Sequence, residues 1–224
     1  MISVHNSIFE KTPGYKIGCL ELGDVEAGPS TEEFWDKFNS RIDAIRNEFK
    51  LEQIGEDKVI TGMRRLYKSW KIDYTRYRPS SERLLRRVLK GNELYIVNTV
   101  VDVCNYISLI YKLPIGLYDK RKIVGGVEIC FGNEGDSYMG ITGLELSAGG
   151  KVTVYDDQGP VGSPATDSRR TAIDNNTTDF IGLFHCPENI NEEYLDRMMD
   201  DYYTELCAFQ EKDPEIVERF ILKK

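Results

Sequence analysis

The segment Asn98 to Asp119, NTVVDVCNYISLIYKLPIGLYD, constrains this chain more than any other. Val100, Val101, Val103, Cys104, Ile107, Ile110 and Tyr111 recur at helical spacing and form one broad apolar face, and Pro114 stands just past the end as a stop. A helix this apolar has to be buried, and Asn98 or Thr99 is placed to cap its start. Asp102, Asn105 and Lys112 share a polar edge beside that face, which predicts the wall of a pocket.

The flanking segments supply what this helix packs against. A strand is predicted from Tyr15 to Leu22, after the Pro13-Gly14 turn. Ser30 or Thr31 caps a helix with Glu32 and Glu33 at its positive end and an apolar stripe of Phe34, Trp35, Phe38, Ile42 and Ile45. A basic helix covers Val59 to Trp70. A third follows Pro79, turns Leu84, Leu85, Val88 and Leu89 inward, and ends at Gly91. Arg83, Arg86, Arg87 and Lys90 fall on its outer side at spacings that let them track phosphates. Beyond the central helix the period shortens: Val127 to Phe131, Ser137 to Ile141, Lys151 to Asp156 and Phe180 to Phe184 read as strands, most of them separated by glycine-rich turns. The turn at Gly132 to Gly135 lacks the lysine and following helix of a phosphate loop. A last helix, Ile190 to Gln210, carries Tyr194, Leu195, Met198, Tyr202, Leu206 and Phe209 as core. The order of elements predicts an α+β fold in one domain over residues 1–224.

Charge narrows the function classes. A net charge of −8 opposes indiscriminate nucleic-acid binding, yet it hides a dipole. Between Lys58 and Lys90 the chain is strongly basic, and between Glu188 and Glu218 strongly acidic. Either the basic run meets phosphates, or the two runs are solvated faces that pair with each other. No apolar run approaches the roughly 20 residues that span a bilayer and no secretory signal is visible, so a cytoplasmic protein with no membrane partner is expected. Cys19, Cys104, Cys130, Cys186 and Cys207 are odd in number and set in apolar runs, which predicts free thiols. With His5 and His185 alone and no ligand spacing, neither a metal nor another cofactor is expected.

The stretch Val154 to Thr171, VYDDQGPVGSPATDSRRT, is read as a strand delivering Asp156 and Asp157 into a long polar loop. Ser163, Thr166, Ser168 and Thr171 offer hydroxyls, Asp167 a carboxylate, and Arg169 and Arg170 cations for a phosphate or carboxylate. Such a loop either binds a ligand or is stiffened by its own Asx and Ser/Thr turns.

The run VVDVCNY from Val100, then Pro114 with Tyr118-Asp119, the glycine-rich strands, Gly159 to Gly162, and NNTTDF before the final strand resemble the B3/B4 domain of the phenylalanyl-tRNA synthetase β subunit. The resemblance is strongest over 98–186, leaving 1–97 and 187–224 as helical elaborations. It implies a β-sandwich of unusual topology flanked by helices in three layers, with tRNA or aminoacyl-tRNA as partner and no role for DNA. In bacterial synthetases the domain hydrolyses tyrosine wrongly attached to tRNA-Phe, because a pocket shaped for phenylalanine cannot strongly reject an isostere that adds a hydroxyl. On a tRNA-binding reading Asn105, Tyr118, Asp157, Ser163, Thr166, Asp167 and Arg169 form the pocket and Arg83, Arg86, Arg87 and Lys90 hold phosphates; the loop from Ser163 to Thr171 differs from the synthetase form, and of these residues the resemblance itself carries over Asn105 and Tyr118. It assigns no catalytic residue: the family's histidine falls at Gly116 and its glutamate at or near Leu183. His185 is either a base or a hydrogen-bonded structural residue. Three functions follow: a tRNA-binding protein that deacylates mischarged tRNA in trans, a non-catalytic sensor or carrier of a free amino acid, or a purely structural interaction module.

Overall fold

Period-two and period-3.6 patterning partition the chain into eleven strands and six helices, and a computed structural model describes residues 1–224. In chain order the elements are β1 (Ile2–Val4), α1 (Asn6–Lys11), β2 (Lys16–Gly23), α2 (Glu32–Glu48), α3 (Lys58–Ser69), α4 (Ser80–Leu89), α5 (Thr99–Tyr111), β3 (Ile115–Asp119), β4 (Val127–Phe131), β5 (Ser137–Met139), β6 (Glu145–Ser147), β7 (Val152–Asp156), β8 (Gly159–Ser163), β9 (Thr166–Asp167), β10 (Phe180–Cys186), α6 (Glu192–Cys207) and β11 (Glu215–Leu222). The fold is α+β.

The four-stranded sheet, in the order β11-β2-β10-β3, is antiparallel throughout. The five-stranded sheet, β1-β4-β7-β8-β9, is antiparallel except at its β1–β4 edge, and β5 pairs with β6 alone. All eight residues of β2 and all seven of β10 are buried. α6 lies across β2 and β10: Phe180 and Phe184 meet Tyr202 edge to face, and a side chain at Gly18 would run into Met199. The two sheets meet where β3 lies beside β8 and β9, joined by Asp119 N–H donating to the Thr171 carbonyl at 2.8 Å. A core of 52 buried residues runs unbroken through both sheets and the helices.

The central helix forms as its sequence requires. The Asn98 side chain accepts from Val101 N–H at 3.1 Å, and Lys112 ends the helix in the left-handed conformation two residues before Pro114. α5 is fixed to α6 by Tyr202 donating to the Val100 carbonyl and Tyr111 donating to Asp201.

Four expectations change. The polar edge of α5 does not line one pocket: Asp102 is fully buried, accepting from the Ser30 hydroxyl and Val97 N–H, while Lys112 pairs with Asp57 at 2.5 Å. A buried carboxylate at a helix start is satisfied by local donors before any ligand reaches it. Residues 154–171 are not one loop but β7, β8 and β9 joined by tight turns, because Val152, Val154 and Val161 bury their side chains. The basic and acidic runs do not pair: Arg64, Arg78 and Arg86 converge on Glu82 within the basic run, and the acidic run pairs with Lys37, Arg197, Arg219 and Lys223, while its Lys212 pairs with Asp24. Residues 187–224 are not all helical, since β11 completes the edge of the four-stranded sheet.

A candidate ligand cleft and the carboxylate behind it

α4 begins where Pro79 fixes the chain, and its Ser80 N–H donates to the Pro164 carbonyl at 3.0 Å. That bond draws the turn between β8 and β9 against the basic helices and leaves a cleft beside it. The cleft holds a cavity of about 90 Å³ lined by Tyr67, Trp70, Tyr138, Ser163 and Thr166, with Arg76, Arg78, Arg83 and Lys151 also on its wall. Tyr138 donates to Ser163 Oγ at 3.0 Å and lies 3.1 Å from the Thr166 carbonyl, so the hydroxyl of Ser163 is engaged. Thr166 differs: it is 7% exposed and its Oγ1 has no hydrogen-bond partner.

On the other side of β9 stands Asp167. Its carboxylate is deep but not sealed, and accepts from Leu117 N–H at 3.3 Å. Beside it is the hydroxyl of Tyr118, fully buried and without a partner of its own. Two glycines make room for this pair. A Cβ on Gly116 would lie 2.5 Å from the Tyr118 hydroxyl and 3.1 Å from Asp167 Oδ1, and one on Gly162 would lie 2.8 and 3.1 Å from the same atoms. Burial pushes the Asp167 carboxyl up to about 7, against the opposing pull of Leu117 N–H and the Arg83 charge.

The residues singled out from sequence therefore separate. Arg83, Ser163 and Thr166 line the cleft, and Tyr118 and Asp167 stand behind it. Asp157 is exposed and packs against Gly125, in a second cavity bounded by Met1, His5 and Glu128. Arg169 is exposed over Gly143, and Asn105 is half-buried on α5. Arg170 is not a free cation: it grips Asp156 with two bonds of 2.6 and 2.9 Å. Arg86 donates to Glu82 at 2.8 Å, Arg87 to the Glu93 carbonyl, and Lys90 is exposed. His185 is fully buried, bonded through Nδ1 to the Tyr15 hydroxyl at 2.5 Å and held down to about 3 by burial. It is a neutral core residue. Sequence reasoning placed Arg76 and Arg78 only in the basic run and missed Tyr67, Tyr138 and Lys151; these side chains gather because the β8–β9 turn docks on α4.

Gly116, where the resemblance puts a histidine, pairs directly with Leu183, at or near which it puts a glutamate, across β3 and β10. A family model described as the B3/4 domain matches residues 62–193, more than half of the chain. The chain belongs to the B3/4 domain family. The matched span of this B3/4 domain protein opens inside α3 and closes at the start of α6, so it includes the cleft wall that the shorter motifs left out. Its relatives include the phenylalanine–tRNA ligase beta subunit of Fusobacterium nucleatum, 23% identical over 155 residues, covering 67% of this chain and 19% of that protein. The corresponding subunit of Bartonella henselae is 30% identical over 100 residues, covering 44% of this chain and 12% of that one. In Wolbachia sp. subsp. Brugia malayi the figures are 29% over 77 residues, 34% and 10%. The B3/4 chain thus spans at most about a fifth of these relatives. Among solved structures, an N-terminal fragment of the phenylalanyl-tRNA synthetase beta subunit from Pyrococcus horikoshii aligns over 93% of this chain and 48% of its own, with 9% identity and a TM-score of 0.46.

Proposed function

We propose that this chain binds the aminoacylated 3′ end of a tRNA, taking the aminoacyl group into the cleft between α4 and the β8–β9 turn. The observation that carries the reading is Thr166: a buried hydroxyl with no partner, in the wall of a cavity edged by Arg76, Arg78, Arg83 and Lys151. Leaving such a hydroxyl unpaired costs about 1–3 kcal/mol, which a ligand's polar group removes. The cations suit the phosphates of the same ligand, in a protein that is otherwise acidic. Kinship with beta subunits of phenylalanine–tRNA ligases supports a charged tRNA as that ligand. In this reading Tyr118 and Asp167 complete the pocket from behind, residues 1–224 act as one domain around the single core, and the protein works in the cytoplasm.

Two outcomes are open to a bound ester. Asp167, half ionised near neutrality, is the carboxylate available to activate water, and the bound ester is already reactive, so hydrolysis in trans needs no nucleophile. Binding without turnover is the reading favoured by Gly116 and Leu183, which offer no acid or base where the resemblance puts a histidine and a glutamate. Release of amino acid from Tyr-tRNA-Phe and a panel of other mischarged tRNAs decides between them. Multiple turnover lost in Asp167→Asn identifies an editing hydrolase; retention without release identifies a binding module. In either case Thr166→Val is expected to weaken charged-tRNA binding about tenfold, equivalent to about 1.4 kcal/mol, and Arg83→Glu to lower the salt dependence as well. If the folded parent protein binds neither charged nor uncharged tRNA at low salt, while a free amino acid raises its melting temperature, the tRNA reading is wrong and the sensor reading replaces it.

A further inference from the structure

The segment between α4 and α5 exposes three apolar side chains in a row: Tyr95 is 66%, Ile96 71% and Val97 47% exposed. Neither the core nor the cleft uses them. Tyr95 is nevertheless held in place. The Arg87 guanidinium lies 4.2 Å from its ring centroid and donates to its hydroxyl at 3.2 Å, and Arg87 is itself fixed by an Nε bond of 2.5 Å to the Glu93 carbonyl. One face of the phenol is therefore covered by an anchored cation, and an exposure of 66% leaves the other face bare.

Arg83 stands one turn earlier on α4, anchored by 2.7 Å to the Ala165 carbonyl beside Thr166. It lines the cleft from the same helix that carries Arg87, so α4 joins the exposed ring to the cavity. Lys90, a turn beyond Arg86, is exposed as well. A flat aromatic face backed by a guanidinium and bordered by cations matches a nucleobase with its phosphates. Three side chains in one short segment are a narrower apolar surface than the broad contiguous patch that marks a protein-binding site.

We propose that Tyr95, backed by Arg87, is a stacking platform for an unpaired base of single-stranded RNA, placed so that the chain's end beyond that base reaches the cleft past Arg83. This deepens the proposed function and rests on it for the identity of the RNA. Stacking is indifferent to base identity but demands an unpaired base, which separates it from simple charge attraction.

The test measures, at low salt, the affinity of the full chain for a fluorescein-labelled oligoadenylate of about 12 nucleotides, for a duplex of the same length, and for intact tRNA. Tyr95→Ala is expected to weaken oligoadenylate binding about tenfold, with Tyr95→Phe close to the parent, duplex binding unchanged and the melting temperature unmoved. The proposal is overturned if Tyr95→Ala binds oligoadenylate like the parent, or if duplex affinity falls as far as single-strand affinity. Loss of oligoadenylate binding in Tyr95→Ala with no tRNA binding by the parent keeps the platform and rejects the tRNA reading. Parent-like tRNA and oligoadenylate binding by Tyr95→Ala keeps the tRNA reading and rejects the platform. A parent that binds neither RNA overturns both.

Discussion

Asp167 and His185 are buried groups displaced in opposite directions, Asp167 up from 3.8 to about 7 and His185 down from 6.5 to about 3. Between pH 3.8 and 6.5 the unfolded chain carries a protonated histidine and an ionised aspartate, and the folded chain the reverse. Each state then holds one of the two protons, so the pair adds no pH slope to stability. Single variants break the balance. With Asp167→Asn, stability is expected to fall as pH drops from 6.5, by up to about 1.4 kcal/mol per pH unit; with His185→Gln it is expected to fall as pH rises from 3.8 towards 7. Denaturant melts at three pH values check this, and parallel slopes in all three proteins would refute it. A second prediction concerns Gly116, where the Tyr118 hydroxyl already fills the space of a side chain. Gly116→Ala is expected to cost about 1–3 kcal/mol, and Tyr118→Phe to recover part of it in the double variant. Additive losses in that cycle would remove the steric account. The glycine is visible in sequence; that a tyrosine two residues on fills the space beside it is not.

Among the elements, α4 shows what periodicity can and cannot reveal. Its inward leucines and valine are legible as a stripe, but Glu82 reads as a stray acid in a basic run. In the fold it is 2% exposed and receives Arg64 at 2.7 Å and Arg86 at 2.8 Å, with Arg78 at 3.4 Å. Burial alone would raise its carboxyl, but the bonds from Arg64 and Arg86 outweigh this and hold it below the ordinary range. Glu82→Gln is expected to lose about 3–5 kcal/mol, because three guanidinium groups lose the buried charge they share; exposed Glu188→Gln serves as control in the same thermal melts. The strands β8 and β9 were hidden for another reason. Gly159, Pro160 and Gly162 are poor strand formers, and only pairing with β7 makes their segment extended. Helices α2 to α6 and the strands β2, β4, β7 and β10 were legible because each carries its own apolar period.

For the molecule as a whole, the charge dipole was legible and its use was not. Arg76 and Lys151 are free of carboxylates, and these, with Arg83, set the positive side of the cleft. The candidate site was half visible: Ser163, Thr166, Asp167, Tyr118 and Arg83 meet around β9, whereas Asn105, Asp157 and Arg169 lie apart from the cleft, since adjacency in sequence says nothing about which sheet face a residue takes. Removing β11 by ending the chain at Pro214 is expected to leave β2 as an open edge and to give concentration-dependent association in light scattering.

β2 also sets a timetable. Ile17 pairs with His185 on one side and with Leu222 on the other, so the strand waits for two neighbours that lie far later in the chain. Nothing local can stand in for either neighbour, and closing such long loops slows folding to the millisecond-to-second range typical of non-local sheets. During that wait Ile17, Cys19, Leu20 and Leu22 form an apolar ribbon with both backbone edges unpaired, so the growing chain is at its stickiest until β10 and β11 have both emerged.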